Sequence, residues 1–283
     1  MTTVMQRLLV FFIGIPLVIL ITATTFCNHL LLHVTIMAVT IISTLELHKM
    51  VKVRNHVQSL PFVLTLTALI PLITYITVLF DLSTHWISLT FVASFLLVMA
   101  KEILGYDKET ASFEKSIQRI ASSFFIIFYC GYLISFVSRM TSWEEASILI
   151  SFFLLLVFGS DSIAWFFGVL FGKNNKNIFK ASPNKSIAGY TGGIAGPLLI
   201  GFIGWKFIPY LSGQSLSSIL SISFFTALTS IIGDLVESVI KRSSNFKDSG
   251  HVIPGRGGLL DSIDSILFSA PLFFLLTELF FGL

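Results

Sequence analysis

Residues 150 to 172 read ISFFLLLVFGSDSIAWFFGVLFG, and this stretch decides the fold class of the chain. It is apolar almost throughout, whereas a membrane-spanning strand would alternate apolar and polar residues over about ten positions. A helix needs about 20 predominantly apolar residues to cross a bilayer, and this stretch is long enough. It therefore predicts a transmembrane helix that carries one ionisable side chain, Asp161, inside its apolar run.

The whole chain is as apolar in composition as a membrane protein. Hydrophobic residues make up 54% of the 283 residues and charged residues only 12%, and 29 residues are phenylalanine. Together with a mean hydropathy of +0.89, these values exclude a soluble globular domain. We therefore predict an all-α, polytopic membrane protein. Nine apolar segments are long enough to span, centred near residues 17, 37, 70, 92, 128, 155, 198, 225 and 271.

The distribution of basic residues predicts the orientation of these spans. With nine spans and a cytoplasmic N-terminus, 16 of the 18 Lys and Arg residues fall on the cytoplasmic side, and only Arg139 and Lys206 fall outside. Cytoplasmic loops carry this kind of excess. We therefore expect a multi-pass membrane protein whose N-terminus and basic loops lie on the cytoplasmic side.

The character of the spans changes near residue 140. In residues 1–140, about five apolar runs hold no ionisable residue deep inside them, so we expect an N-terminal transmembrane scaffold. In residues 141–283, about four spans contain acidic residues and frequent glycines, and the two longest inner loops separate them. Intramembrane carboxylates are costly and usually functional. We therefore expect the catalytic region in residues 141–283.

Asp161 lies deepest among these carboxylates. A bare aspartate at the centre of a span costs about 2.5 to 3.5 kcal/mol on the insertion scale. Ala164, Gly168 and Gly172 follow it on the same helical face, which permits a neighbouring helix to approach closely. Asp161 has either a functional role or a structural one as hydrogen-bond partner of a Ser or Thr on that neighbour.

The loop after this span carries four lysines and no acid between residues 172 and 186. It ends in Ser182, Lys185 and Ser186, and glycines follow at 189, 192, 193 and 196. Hydroxyls, an ammonium group and backbone amides at a helix start are suited to binding phosphate. Contact with anionic lipid is the alternative for the lysines. For the glycines, we expect helix packing.

The next polar stripe ends the eighth predicted span, in IIGDLVESVIKR at residues 231–242. Asp234, Glu237 and Lys241 share one helical face, so the stripe can contact both a metal ion and a phosphate. An ion pair between Glu237 and Lys241 is the alternative, but it leaves Asp234 unexplained.

The most polar segment of the chain is SVIKRSSNFKDSGHVIPGRGGLLDSID, residues 238–264. It ends in Asp261 and Asp264, which lie three residues apart on one helical face and are suited to holding one divalent ion or two. Helix capping is the competing explanation. Capping explains Asp261 readily, and it explains Asp264 less well because that residue already enters an apolar run.

These residues resemble the signature of the phosphatidate cytidylyltransferase (CDP-diacylglycerol synthase) family. The segments SPNKSIAGYTGG at 182–193 and GDLVES around Asp234 resemble that family as well, and so does Asp161 with Ala164 and Trp165. The resemblance covers residues 155–270, and the first half shares only the number of apolar spans. The signature positions are Ser238, Lys241, Arg242, Lys247, Asp248, Gly250, Gly257, Gly258, Asp261 and Asp264.

The resemblance implies that CTP reacts with phosphatidate to give CDP-diacylglycerol and pyrophosphate. It also implies Mg²⁺, with or without a second cation, and a homodimer in membrane lipid with no nucleic-acid partner. The location that it implies is the cell membrane (inner membrane), with the active site on the cytoplasmic side. The resemblance assigns metal binding to Asp161, Asp234, Asp261 and Asp264, catalysis to Lys241, Arg242, Lys247 and Asp248, and substrate binding to Ser182, Lys185, Ser186, Gly257 and Gly258. To the catalytic residues we add Arg256. The chemistry agrees with this assignment, because an attacking phosphate is already anionic and needs no protein base.

Two positions depart from the family pattern, which has His where this chain has Arg256 and Arg where it has Ser262. Either the Arg256 guanidinium replaces the missing one from six residues upstream, which we favour, or the chain is a degenerate, inactive homologue. A cation-coupled transporter is the remaining alternative, with Asp161, Asp234 and Asp264 along an ion path. A transporter does not explain two lysine-rich loops on one side.

Overall fold

In a computed structural model, the chain is described over residues 16–104, 113–173, 175–176, 178–253 and 257–283. Within these ranges the secondary structure is helical, without a β-strand. The helices are α1 (Leu30–Lys52), α2 (Leu60–Leu79), α3 (His85–Leu104), α4 (Ser116–Ile126), α5 (Leu133–Arg139), α6 (Ala146–Phe171), α7 (Ile187–Phe207), α8 (Pro209–Ser212), α9 (Leu216–Ser243) and α10 (Leu260–Phe281). A π-helical turn, Ile127–Tyr132, joins α4 to α5.

Eight helical stretches in the described residues are long and apolar enough to cross a membrane. They are α1, α2, α3, α6, α7, α9, α10 and the continuous stretch Ser116–Ser142. The all-α, multi-pass prediction is therefore confirmed. The predicted span centred near residue 17 lies mostly outside the described residues, although residues 16–23 are helical. The total of nine spans and the orientation stay predictions.

The first of two compact units comprises Met1–Ser142 and Ser243–Ser262. In it, α2 packs against α1, α3 and the π-helical turn. A buried polar network adds to this packing: Glu102 accepts a hydrogen bond of 2.7 Å from the Gln58 side chain and forms an ion pair of 2.7 Å with Arg119. Because these groups are largely buried, their partners satisfy charges that would otherwise be costly.

The second unit comprises Trp143–Arg242 and Ile263–Leu283, and its main contact is α6 against α7. The glycine stripe of α7 makes that contact possible. A Cβ atom added at Gly192 would lie 2.8 Å from the Cβ of Phe167, and one added at Gly196 would lie 2.9 Å from the Cβ of Ile163. The helix-packing role expected for these glycines is confirmed.

The remaining helices of the second unit also approach closely. A Cβ atom added at Gly233 on α9 would lie 2.7 Å from the Cβ of Phe268 on α10, and the Ser265 hydroxyl donates a hydrogen bond of 3.2 Å to the Ser230 carbonyl. This packing fixes the ends of α9 and α10 that carry acidic residues. Residues 243–262, which lie in the C-terminal half of the sequence, belong to the first unit. The scaffold and catalytic roles of residues 1–140 and 141–283 stay predictions.

Candidate active site

Six ionisable side chains of the second unit form a connected cluster. Lys185 forms an ion pair with Asp234, and Lys241 forms one with Glu237. Asp161 and Asp264 lie close enough to Lys185 to interact with it electrostatically, and Asp264 also interacts with Glu237 and Asp161. Residues far apart in the sequence therefore interact: Asp161 lies on α6, Lys185 in the loop before α7, Asp234 on α9 and Asp264 on α10.

The members of this cluster differ in burial. Glu237 is fully buried and Asp264 is 4% exposed, whereas the Asp234 and Lys185 side chains are 26% and 39% exposed. Burial lowers the pKa of Lys185, the nearby Asp161 and Asp264 carboxylates act in the opposite direction, and Lys241 lowers it further. The lysine thus carries a charge whose environment is partly desolvated.

The charges of the cluster do not balance. Four carboxylates, of Asp161, Asp234, Glu237 and Asp264, stand against the two ammonium groups of Lys185 and Lys241, which leaves two negative charges in excess when all are ionised. An all-oxygen donor set with excess negative charge suits a hard divalent cation such as Mg²⁺.

The geometry gives a second result on metal binding. In the part of the chain that the structure describes, no three His, Cys, Asp or Glu side chains are gathered closely enough to hold a metal ion. The two ion pairs supply a physical reason, because Lys185 and Lys241 occupy carboxylates that a cation would need. The donor chemistry fits the cation, and the predicted ligand set Asp161, Asp234, Asp261 and Asp264 stays a prediction.

The predicted phosphate cradle before α7 contains a helix cap. Ser186 is the N-cap residue, and its Oγ accepts a hydrogen bond of 3.1 Å from the Gly189 N–H. A Cβ atom added at Gly172 would lie 2.9 Å from the Cβ of Ser186, so α6 ends directly against this cap. Ser182 lies in the preceding turn, partly exposed. The cap fixes the start of α7 beside Lys185, which reaches into the carboxylate cluster.

Asp261 belongs to the first unit and accepts three hydrogen bonds at one carboxylate oxygen. The donors to Oδ2 are the Ser249 N–H at 2.8 Å, the Ser249 hydroxyl at 2.9 Å and the Gly258 N–H at 2.7 Å. The Gly258 contact links Asp261 to the residue three positions earlier, as the capping alternative expects, whereas the two Ser249 contacts come from twelve residues upstream.

Glu46 on α1 contacts the segment around Asp261, and the sequence analysis did not identify it. It is 8% exposed, and its carboxylate accepts hydrogen bonds from the N–H groups of Leu259 at 3.0 Å and Leu260 at 2.8 Å. The Ser249 hydroxyl lies 3.1 Å from its Oε2. In the sequence, Glu46 stands near the end of an apolar run beside basic residues, where it looks like an ordinary loop charge, so no local signal identifies it.

Glycines make these close contacts possible. Gly257 has a φ of 109°, which favours glycine, and a Cβ atom there would lie 2.6 Å from Asp261 Oδ2. A Cβ atom at Gly258 would collide with the Ser249 hydroxyl and lie 2.7 Å from Glu46 Oε1. The backbone around Asp261 therefore requires glycine at both positions, Gly257 and Gly258, which were predicted to bind substrate.

The model of the cytidylyltransferase family matches residues 5–280 of the chain. The chain belongs to the cytidylyltransferase family. The match covers nearly the whole chain, so it includes the carboxylate cluster of the second unit and the Glu46 contacts of the first. The family resemblance inferred from residues 155–270 is confirmed.

Three relatives illustrate the similarity of this cytidylyltransferase-family chain to known proteins, and each is a phosphatidate cytidylyltransferase. The protein of Haemophilus influenzae is 39% identical over 127 residues, which are 44% of each chain. The protein of Bacillus subtilis is 33% identical over 157 residues, 54% of this chain and 56% of that protein. The protein of Pseudomonas aeruginosa is 39% identical over 134 residues, 47% and 49%. The chain thus spans about half the length of the curated relatives it matches.

The predicted site residues of this family member fall into two groups, one inside each unit. Asp161, Lys185, Asp234, Lys241 and Asp264 meet in the second unit, which adds Glu237 to them. The first unit brings together Gly257, Gly258 and Asp261 and adds Glu46 and Ser249.

The other predicted catalytic residues lie outside these two groups of contacts. Arg242, Lys247 and Asp248 are exposed side chains near the end of α9 and in the segment after it. Arg256 lies outside the described residues. Ser262, where the family pattern has Arg, has a buried hydroxyl oxygen that lacks a hydrogen-bond partner among the described residues.

Proposed function

We propose that this protein transfers the cytidylyl group of CTP to phosphatidate, giving CDP-diacylglycerol and pyrophosphate for phospholipid synthesis. The carboxylate and lysine cluster of the second unit carries the proposal. It places two ammonium groups beside four carboxylates, and two phosphate-bearing substrates require both kinds of charge. Family membership and the similarity to phosphatidate cytidylyltransferases support the same conclusion.

The proposed reaction is a direct displacement at the α-phosphorus of CTP. A phosphate oxygen of phosphatidate forms the new bond to that phosphorus, and the bond from the phosphorus to the oxygen bridging to the β-phosphate breaks. Pyrophosphate leaves with the bonding electron pair. The attacking oxygen is already ionised near neutral pH, so the chain has only to position and neutralise the reactants.

Lys185 and Lys241 are the residues that we assign to phosphate neutralisation in the second unit. Each is held by one carboxylate, Asp234 or Glu237. An incoming phosphate competes with that carboxylate for the ammonium group. Pairing in the protein keeps each lysine oriented toward the cluster before the exchange, which lowers the entropy cost of binding phosphate. Arg242, Lys247 and Arg256 are proposed to contribute further positive charge.

Asp161, Asp234 and Asp264, with the predicted Asp261, are the residues that would hold Mg²⁺. When bound, Mg²⁺ supplies charge neutralisation on the phosphates and polarises the phosphorus centre. When a phosphate displaces a lysine from its carboxylate, that carboxylate gains an oxygen that can bind the cation. Cation and phosphate binding are therefore expected to be cooperative.

A second cation, a homodimer and a cytoplasmic active site in the cell membrane belong to the same proposal. The oxygen-rich cluster supports a cation, and the excess of basic residues in the predicted cytoplasmic loops supports the orientation.

The proposal is tested with the purified 283-residue protein in lipid nanodiscs, supplied with CTP, phosphatidate and Mg²⁺. We expect pyrophosphate release that requires all three, and loss of release on chelation of Mg²⁺. Asp261→Asn should abolish turnover while leaving the protein folded, because the amide oxygen still accepts from Ser249 and Gly258. Absence of release over a range of lipids would refute the enzymatic assignment, and full activity of the Asp261 variant would refute the predicted ligand set.

A further inference from the structure

We propose that Glu46 is a positioning residue, whose carboxylate holds the start of α10 and Ser249 so that Asp261 is fixed in one orientation. The inference rests on the proposed function for its catalytic consequence, but the contacts that carry it lie wholly inside the first unit. Glu46 lies on α1, and it contacts Ser249 and Leu260, which are 203 and 214 positions away in the sequence.

The first argument is the match between the carboxylate and the helix start. Glu46 Oε1 accepts from the Leu259 N–H, and Oε2 accepts from the Leu260 N–H. The first N–H groups of a helix have no partner within the helix, and the helix dipole favours negative charge there. Glu46 supplies that charge from another helix, so it fixes where α10 begins and therefore where Asp261 is held.

The second argument is the position of Ser249 between two carboxylates. Its hydroxyl oxygen lies 3.1 Å from Glu46 Oε2 and 2.9 Å from Asp261 Oδ2, and it accepts a hydrogen bond of 3.3 Å from the Asp261 N–H. A hydroxyl has one proton, so it donates to one carboxylate at a time. Glu46 and Asp261 thus share a single donor, and a change at Glu46 alters what Asp261 receives.

The third argument is the space around the carboxylate. A Cβ atom added at Gly258 would lie 2.7 Å from Glu46 Oε1, and one added at Gly250 would collide with the same oxygen. The backbone at Gly250 and at Gly258 therefore lies directly against the Glu46 carboxylate and leaves no room for a side chain at either position. Since both oxygens accept from backbone N–H groups, a glutamine at this position would direct its NH₂ group at one of the donors.

Glu102 supplies a matched control within the same unit. It is 7% exposed against 8% for Glu46, and its two carboxylate oxygens also accept from separate donors, the Gln58 side chain and Arg119. Glu102→Gln therefore makes the same chemical change at a comparable depth. Its contacts are with α4 and with the residues before α2, so it reports the general cost of losing a buried carboxylate.

The test compares Glu46→Gln with Glu102→Gln and wild type by hydrogen exchange in lipid nanodiscs. We expect amide exchange in the peptide covering residues 257–262 to quicken about tenfold or more in Glu46→Gln, as for loss of a charge-assisted hydrogen bond. The Glu102 variant should leave that peptide unchanged. Equal exchange of the peptide in all three proteins would overturn the proposal. If Glu46→Gln is not recovered folded, Glu46→Asp keeps the charge and shortens the reach, and unchanged exchange there would overturn it as well.

A kinetic measurement on the same samples tests the catalytic consequence. We expect kcat to fall about 100-fold in Glu46→Gln with KM for CTP changed little, because misplacing a reacting group by about 1 Å has that effect, and Glu102→Gln should keep most of its turnover. A kcat of Glu46→Gln equal to that of Glu102→Gln would overturn the positioning role. Absence of turnover in wild type would refute the proposed function instead, and the exchange result alone would then decide the Glu46 contact.

Discussion

Lys185 forms an ion pair with Asp234, which joins the loop before α7 to the polar end of α9. The pair lies beside a second one, between Lys241 and the fully buried Glu237. Two lysines assigned to phosphate thus each have a carboxylate partner in the protein. The two ion pairs order the cluster, since each lysine is held by one carboxylate, while the charges of Asp161 and Asp264 remain in excess.

Loss of the Lys185 ammonium group should impair turnover strongly. In Lys185→Gln the side chain no longer neutralises phosphate, and we expect kcat/KM for CTP or phosphatidate to fall by about 100-fold or more, as for other groups that stabilise a transition state electrostatically. Lys180→Gln is the matched control, because Lys180 is an exposed lysine of the same loop. Equal losses in the two variants would show that only the net charge of the loop matters.

The lowered pKa of Lys185 predicts a pH dependence. Burial places that pKa below the ordinary value of 10.5, so the ammonium group loses its proton earlier as the pH rises. If its charged form binds phosphate, kcat/KM stays level below that pKa and declines as the pH rises through it. Lys185→Arg should move the decline to higher pH, because arginine stays protonated. A decline at the same pH in both proteins would assign it to another group.

A methyl group at Gly258 should disturb the Glu46 and Ser249 contacts. The added atom would collide with the Ser249 hydroxyl, so we expect the free energy of unfolding of Gly258→Ala to fall by about 1 to 3 kcal/mol, as for overpacking elsewhere. Gly213→Ala serves as the control, since its Cβ would meet nothing nearer than 3.5 Å. Thermal unfolding in detergent measures both, and equal stability of the two variants would contradict the packing described around Gly258.

The two departures from the family pattern make a separate prediction. If Arg256 replaces the guanidinium that the family has at position 262, Arg256→Ala should lower kcat/KM by about 100-fold or more, while Ser262→Ala should change it little. Adding Ser262→Arg to the Arg256→Ala variant should then restore part of the activity. A fully active Arg256→Ala protein would argue against the replacement.

The sequence predicted the helices well because membrane spans require long apolar runs. Eight described spans coincide with eight of the predicted segments. The packing of Gly192, Gly193 and Gly196 was also predictable, since small residues at helical spacing mark close helix contacts. The ion pair between Glu237 and Lys241, considered from their i,i+4 spacing as the alternative for those two residues, is present in the structure.

The site was less predictable, because tertiary contacts decide it. The pairing of Lys185 with Asp234 joins the loop before α7 to α9, and no spacing rule connects these two elements. Full burial of Glu237 depends on the helices around α9. Glu46 is the clearest case, since its donors lie 213 and 214 residues away and its own neighbours in the sequence are those of an ordinary helix end.

The most direct measurement of the central claim is mass-spectrometric detection of CDP-diacylglycerol formed by purified protein from CTP and phosphatidate. We predict product in equal amount to the pyrophosphate released by wild type. We predict none from Asp264→Asn, a change at the buried carboxylate of the second-unit cluster, provided that the variant retains the wild-type unfolding temperature. Wild-type protein that forms no CDP-diacylglycerol, or a folded Asp264 variant that forms it at the wild-type rate, would contradict the account.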